Sequence, residues 1–195
     1  MTLYLSDIME TRWEYLEKVY GDMAEIGVCE GRTFIEILRY SSRMNKLLFG
    51  FDSFCGMNEP GERDFIAGKT IYPKGELNGG TTEQVAARIK QSGVSGRYTL
   101  KKGFIPACFS SVDPEQKFSF VYLDVDHYEP TKAALEWLKT RMSVGGLILC
   151  DDYFKGRKEL ASGAIDEFIA QNVNGSKEFT IKQAEGFKIL FLKRK

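Results

Sequence analysis

The sequence predicts an α/β fold: a three-layer, doubly wound, mostly parallel sheet that ends in an antiparallel hairpin. Three observations predict it. Short apolar runs alternate with amphipathic stretches of helical period along most of the 195 residues, the pattern of strands joined by crossover helices. Residues 119–153, SFVYLDVDHYEPTKAALEWLKTRMSVGGLILCDDY, hold one complete strand, helix and strand, and both strands end in acids. The last stretch carries two strand-like runs around Glu185 and Gly186, a hairpin signal.

In chain order, residues 1–20 read as a leading helix, with Ile8, Trp13, Leu16 and Val19 at helical spacing before Gly21. Residues 23–28 form a short apolar strand, and Gly31 and Thr33 open a helix to about Tyr40. The second strand, 47–51, ends at Asp52. Residues 55–80 have Gly and Pro throughout and no periodicity; a loop of that length in a compact domain suggests a lid or binding segment. Thr81 or Thr82 caps a helix to about Gln91, and 98–102 is the third strand. Then come strand 120–123, a helix burying Ala134, Leu135, Trp137 and Leu138, and strand 147–150, a right-handed crossover. A helix over about 163–171 precedes the paired strands 179–182 and 187–192. Residues 1–195 suit a single domain.

Composition narrows the function. With 27 basic and 27 acidic residues the net charge is zero, which argues against nucleic acid as the partner. No apolar run spans a bilayer and no basic-then-apolar leader opens the chain, so the expected compartment is the cytoplasm, away from membranes. Cys29, Cys55, Cys108 and Cys150 are far apart and lie within or beside apolar runs, so core packing is expected for at least three, with no zinc site or disulfide framework. His127, the sole histidine, excludes a multi-histidine metal site; its plainer reading is a partly exposed residue on the turn after Asp126.

The acids carry the chemistry. Asp124 and Asp126 follow one strand, Asp151 and Asp152 the next, and at the carboxyl ends of neighbouring parallel strands they converge where open α/β sheets bind ligands. One Asp after a strand is often only a helix cap, but four from two strands make a candidate site. Such a cluster repels itself unless a cation is present, and oxygen-only ligands suit Mg²⁺. Glu25, Gly27 and Gly31 lie at the first strand-to-helix turn, in a spacing that departs from Gly-x-Gly-x-x-Gly. An acid there disfavours phosphate and suits an ammonium or sulfonium. Asp52 stands where the acid that grips ribose hydroxyls belongs, so the pair suggests S-adenosylmethionine.

Through AEIGVCEGRTF, FGFDSFCGM, LDVDHYEPT and GGLILCDDY, in this order and at these separations, the sequence resembles the macrocin O-methyltransferase family over about residues 20–172. Members of that family methylate sugar hydroxyls on macrolide and aminocoumarin antibiotics. The resemblance implies the seven-stranded, Rossmann-like class I methyltransferase fold, with S-adenosylmethionine and Mg²⁺ as cofactors. It implies that Asp124, Asp151 and Asp152 hold the metal and that Asp126 is the general base. Asp52, with Ser53 beside it, would bind the ribose, and Glu25 and Gly27, in the motif that includes Gly31, would line the methionine part. The implied partner is a small-molecule or glycosyl acceptor, a sugar rather than a catechol.

Family members often read Leu-Asp-Gly-Asp where this chain has Val125, and His127 and Pro130 are further departures. Val125 is expected to point away from the site if Asp124 and Asp126 share one side of an extended strand end. His127 adds a polar group near the acceptor. About twenty residues precede the glycine motif, fewer than the antibiotic enzymes carry, so part of the substrate pocket is expected to be absent or supplied by a partner subunit of a homo-oligomer. Two rival readings remain. A Mg²⁺-dependent nucleotide-sugar transferase or phosphohydrolase also uses Asp-x-Asp after a strand, though the haloacid dehalogenase type places it on the first strand. A non-catalytic binding protein of methyltransferase fold would carry four acids that, without an ion, only destabilise it.

Overall fold

A computed structural model of the protein describes residues 4–194, so residues 1–3 of the expected leading helix lie outside the described residues. Among the described residues seven strands form one sheet: β1 (Asp22–Ile26), β2 (Leu48–Asp52), β3 (Tyr98–Lys102), β4 (Phe118–Leu123), β5 (Met142–Cys150), β6 (Phe179–Glu185) and β7 (Lys188–Lys193). Their order is β3-β2-β1-β4-β5-β7-β6. The first five run parallel, and β7 runs antiparallel to both neighbours. This is the doubly wound sheet with a terminal hairpin expected above.

Alternation along the strands splits the core in two, because successive side chains face opposite sides of a sheet. Met23, Leu48, Phe120, Tyr122 and Leu149 face one layer, made by α1 (Leu5–Lys18), α2 (Arg32–Arg43) and α3 (Thr82–Gln91). Ala24, Phe51, Val121 and Ile148 face the other, made by α4 (Tyr128–Arg141) and α5 (Leu160–Phe168). On this second side Trp137 stacks on Phe109 with centroids 4.2 Å apart and meets Phe51 and Phe118. Truncating any one of these rings to Ala should cost about 3–5 kcal/mol.

Local chemistry explains the boundaries. Thr81 caps α3, accepting from the Gln84 amide while the Gln84 side chain returns to the Thr81 amide, a capping box. β5 starts at Met142, earlier than the apolar run suggests, because the strand continues through Gly145 and Gly146 with a register shift against β4. α5 starts before residue 163 and passes into a wider π-helical stretch, Ile169–Gly175, instead of ending at 171. A short 3₁₀ turn, Ala107–Ser111, has no periodicity long enough to read. Cys108 and Cys150 are buried as expected, but Cys29 is half-buried and Cys55 exposed. Phe54 takes the buried place beside Cys55, so two cysteines, not three, are fully in the core. No helix among the described residues is long and apolar enough to cross a membrane.

Strand order reverses between β1 and β4, so a crevice opens at their carboxyl ends, the usual ligand position in such sheets. Beside it β4 and β5 pair Leu123 with Cys150, and the Asp151 amide donates to the Leu123 carbonyl at 2.9 Å. The two acid pairs therefore leave adjacent strands at the same level.

Candidate active site

A cavity of about 380 Å³ occupies that crevice, lined by Gly27, Asp52 and Ser53 on one side and by all four aspartates on the other. Gly27 joins the halves. Its φ is +98°, and a Cβ there would stand 1.7 Å from the Asp124 carbonyl oxygen. The close approach lets the Asp124 amide donate to Ile26 and the Gly27 amide to Phe51, which fixes both strand ends.

On the glycine side, Asp52 accepts from the Cys29 amide at 2.9 Å on Oδ2 and from the Phe54 amide at 2.7 Å on Oδ1, with the Ser53 hydroxyl 3.4 Å from the same Oδ1. Asp52 lines the cavity, and a carboxylate oxygen can accept more than one hydrogen bond. The Ser53 hydroxyl donates to the Gly56 carbonyl at 2.7 Å and so builds the turn that starts the loop. Glu25 and Gly31 are not among the cavity-lining residues. Gly31 is the N-cap of α2. Glu25 is 1% exposed, with one carboxylate oxygen lacking a partner. Burial first, then Asp124, Asp52 and Glu36, hold its pKa well above the usual carboxylate value.

On the acid side, one carboxylate oxygen from each of Asp124, Asp126 and Asp152 falls within 4.8 Å of the others, a grouping able to hold a metal ion. Asp124 is pushed up to about 7, by burial first and then by Asp151 and Asp152. Asp126 is raised by burial and by a hydrogen bond and charge shared with Asp152, while a Tyr72 hydrogen bond pulls it down. Asp151 lines the cavity but is already paired: Lys188 on β7 and the Tyr122 hydroxyl both donate to its Oδ2. The resemblance implies Asp124, Asp151 and Asp152 as the metal ligands; in the structure Asp126 stands beside Asp124 and Asp152, and Asp151 is paired with Lys188.

Asp126 does not extend the strand. Its φ is +58°, and the His127 amide donates back to the Val125 carbonyl at 2.6 Å, closing a three-residue γ-turn. Asp126 thus reaches Asp124 through a left-handed turn, not through strand alternation, and Val125 lines the cavity where it was expected to point away. Asp152 also has positive φ, +55°. Such backbone persists only where the surroundings hold it. Here α5 supplies the hold: the Ala161 amide donates to the Asp126 carbonyl at 2.7 Å and the Ser162 hydroxyl to the Asp152 carbonyl at 2.7 Å.

His127 is 1% exposed, not partly exposed. Its Nε2 lies 2.9 Å from the Tyr72 carbonyl oxygen, which can only accept, so that nitrogen carries a proton. Tyr72 and Leu77 bring the 55–80 loop to the cavity wall. Buried Asp64 ties the same loop down, accepting from the Tyr128 amide at 2.7 Å. Lys188, Tyr122, Asp64 and Tyr72 were absent from the sequence reading. Tyr122 alone had a local signal, since it precedes Asp124 by two and so shares its side of β4.

A family model described as a methyltransferase domain matches residues 24–153, from β1 through both acid pairs. The chain is 32% identical over 144 residues to 8-demethyl-8-(2,3-dimethoxy-alpha-L-rhamnosyl)-tetracenomycin-C 4'-O-methyltransferase of Streptomyces olivaceus, covering 69% of this chain and 54% of that protein. It is 26% identical over 161 residues to demethyldecarbamoylnovobiocin O-methyltransferase of Streptomyces niveus, covering 78% of this chain and 60% of that protein. The matches thus span a little over half the length of these relatives. Among solved structures, the O-methyltransferase NovP superposes with a TM-score of 0.74 at 22% identity, covering 96% of this chain and 79% of that one. The family match runs through the glycine turn, Asp52 and the two acid pairs that line the cavity, and the chain belongs to the methyltransferase domain family.

Proposed function

We propose that this chain is an S-adenosylmethionine-dependent, Mg²⁺-dependent O-methyltransferase that acts on a hydroxyl of a sugar or glycosylated small molecule. The observation that carries the reading is the convergence of Asp124, Asp126 and Asp152 in one cavity with the glycine turn and Asp52. The names of the two Streptomyces relatives support an oxygen acceptor, and the first of them supports a sugar.

The residues fit the two absent groups. The Asp52 carboxylate, which lines the cavity, suits the ribose hydroxyls of an adenosine ligand without phosphates. Hard carboxylate oxygens suit Mg²⁺, which commonly takes one or two carboxylates and keeps its waters. Asp124 and Asp152 would hold it, and Asp151 would join them on exchanging Lys188 for the ion. When bound, the ion lowers the pKa of a hydroxyl oxygen and the cofactor offers an electrophilic methyl carbon. The chain does the rest. Asp126 accepts the proton of the acceptor hydroxyl on a carboxylate oxygen, a contribution of roughly a hundredfold to ten-thousandfold. The Gly27 turn and Asp52 align the donor side, and the 55–80 loop covers the acceptor and excludes water. The Nε2 of His127 donates to the Tyr72 carbonyl, so that nitrogen is not available to take the acceptor's proton.

Calorimetry separates this reading from a nucleotide-sugar transferase. S-adenosylhomocysteine should bind with micromolar-range affinity, about −8 kcal/mol, and a nucleoside diphosphate sugar should not compete with it. Tight nucleotide-sugar binding with no affinity for S-adenosylhomocysteine would replace the proposal. A binding module without activity would take the cofactor product and methylate nothing.

A further inference from the structure

On the reading of the glycine side as the S-adenosylmethionine site, we propose that residues 77–79, the end of the 55–80 loop, roof that side and that the Leu77 side chain touches the cofactor. Arg88 on α3 is the positioning residue that holds this roof on the glycine turn. Between Gly27 and Gly31, Cys29 has φ +47°, a conformation disfavoured for a residue with a side chain and kept only where the surroundings hold it. On one side the hold is Asp52, which accepts from the Cys29 amide at 2.9 Å.

On the other side the hold is the loop. Gly79 packs against the peptide that joins Cys29 to Glu30: a Cβ at Gly79 would stand 2.1 Å from the Cys29 carbonyl carbon and 2.3 Å from the Glu30 nitrogen. Two positions earlier, the Leu77 carbonyl accepts from the Cys29 thiol at 3.4 Å. A single guanidinium nitrogen of Arg88, Nη1, pins the two segments together, donating to the Gly79 carbonyl at 2.5 Å and to the Glu30 carbonyl at 3.3 Å. The other end of the loop arrives at the same place. The Met57 amide donates to the Glu76 carbonyl at 2.8 Å and the Gly75 amide to the Met57 carbonyl at 3.0 Å, so a neck joins both ends of the loop just after the Ser53 turn.

This bracing puts Leu77 to use. It lines the cavity with Cys29 and Asp52, has φ +53° and is 47% exposed. A leucine kept in a left-handed conformation with half its surface uncovered contributes little to the folded chain by itself. Covering it with the apolar face of an adenosine would bury that surface, while Asp52 in the same wall takes the ribose.

Leu77→Gly removes the side chain and suits the positive φ, so the variant keeps its fold. Its Kd for S-adenosylhomocysteine should rise about threefold to thirtyfold in calorimetry. Arg88→Met keeps the apolar stem and removes the donors; it should raise the same Kd about fivefold to fiftyfold, the worth of hydrogen bonds from a charged group. In turnover both variants should raise KM for S-adenosylmethionine and keep kcat at saturating cofactor, and KM for the acceptor, within about twofold. A merely structural loss would lower kcat and Mg²⁺ affinity as well. Because one nitrogen of Arg88 serves both carbonyls, the ammonium of Arg88→Lys should restore most of the affinity. Hydrogen exchange without ligand should be faster at amides of residues 29–31 and 75–80 in Arg88→Met, and close to the parent in Arg88→Lys. A parent protein that binds no S-adenosylhomocysteine would overturn the cofactor reading and the Leu77 contact with it, while exchange in ligand-free Arg88→Met still decides the brace. Parent-like affinity in Leu77→Gly would overturn the contact alone. Unchanged exchange in Arg88→Met, or no recovery in Arg88→Lys, would overturn the positioning role.

Discussion

Asp124→Asn is predicted to stabilise the cation-free protein, and the size of the effect follows from the surroundings of the carboxylate. Burial first, then Asp151 and Asp152, raise Asp124 from the usual 3.8 to about 7, against a smaller opposing pull from Lys188. Its folded-state pKa lies above the unfolded one, so between about pH 4 and pH 7 the native state holds more protons. The contribution is most favourable below pH 4, declines as pH rises toward 7, and is flat beyond. At pH 8 the ionised group costs up to about 4 kcal/mol, of which roughly 1.4 kcal/mol accrues between pH 6 and pH 8. Asp126 and Glu25, also raised by burial and neighbouring acids, act in the same direction. For a chain of 195 residues each kcal/mol moves the midpoint by about 2–4 °C, so the variant should melt roughly 5–15 °C higher at pH 8 in chelator. Its midpoint should also vary less between pH 6 and pH 8. Mg²⁺ at a hundredfold excess over Kd should stabilise the parent protein by about 2.7 kcal/mol and leave the variant nearly unmoved. Scanning calorimetry at the two pH values, with chelator or Mg²⁺, reads all of this. A lower Tm for the variant in chelator at pH 8, or a parent midpoint that climbs from pH 6 to pH 8, would refute the reasoning.

Three further predictions follow from the same geometry. Asp52→Ala should abolish measurable S-adenosylhomocysteine binding in calorimetry while the far-UV spectrum stays native; unchanged affinity would remove Asp52 from the cofactor site. Gly27→Ala places a Cβ 1.7 Å from the Asp124 carbonyl, and at φ +98° the backbone cannot yield cheaply. It should cost more than about 4 kcal/mol and show as a large drop in denaturation midpoint or as insoluble protein. Lys188→Met strips Asp151 of its cation and should destabilise the chelated protein by on the order of 3 kcal/mol, largely recovered with Mg²⁺. No loss in that variant would mean the pair contributes nothing.

Much of this architecture is legible in the chain because local signals agree. The 119–153 unit has two apolar strands, an amphipathic crossover and acids at both strand ends, and these together place four aspartates on one edge before any coordinate is known. What stays hidden depends on register and on turn geometry. The pairing of Asp151 with Lys188 spans 37 residues and needs the alignment of β7 on β5, which no periodicity encodes. The left-handed turn at Asp126 is held by α5 from far along the chain, so strand alternation predicts the right neighbours for the wrong reason and misplaces Val125. Glu25 and Gly31 carry the expected motif but are not among the residues that line the cavity, and the Ser53 hydroxyl serves its own turn. The loop contacts through Asp64 and Tyr72 are equally non-local, joining residues 64 and 55 positions apart.

The central claim is tested most directly by following transfer of an isotopically labelled methyl group from S-adenosylmethionine to a panel of sugar and glycoside acceptors, with parent protein and Asp126→Asn side by side. The account predicts a product heavier by one methyl on a sugar oxygen, formed with Mg²⁺ and absent in excess chelator. It also predicts a kcat lower by roughly 10² to 10⁴ in Asp126→Asn, with S-adenosylhomocysteine and Mg²⁺ affinities nearly unchanged. Full turnover in chelator, or an Asp126→Asn variant as fast as the parent, would contradict it.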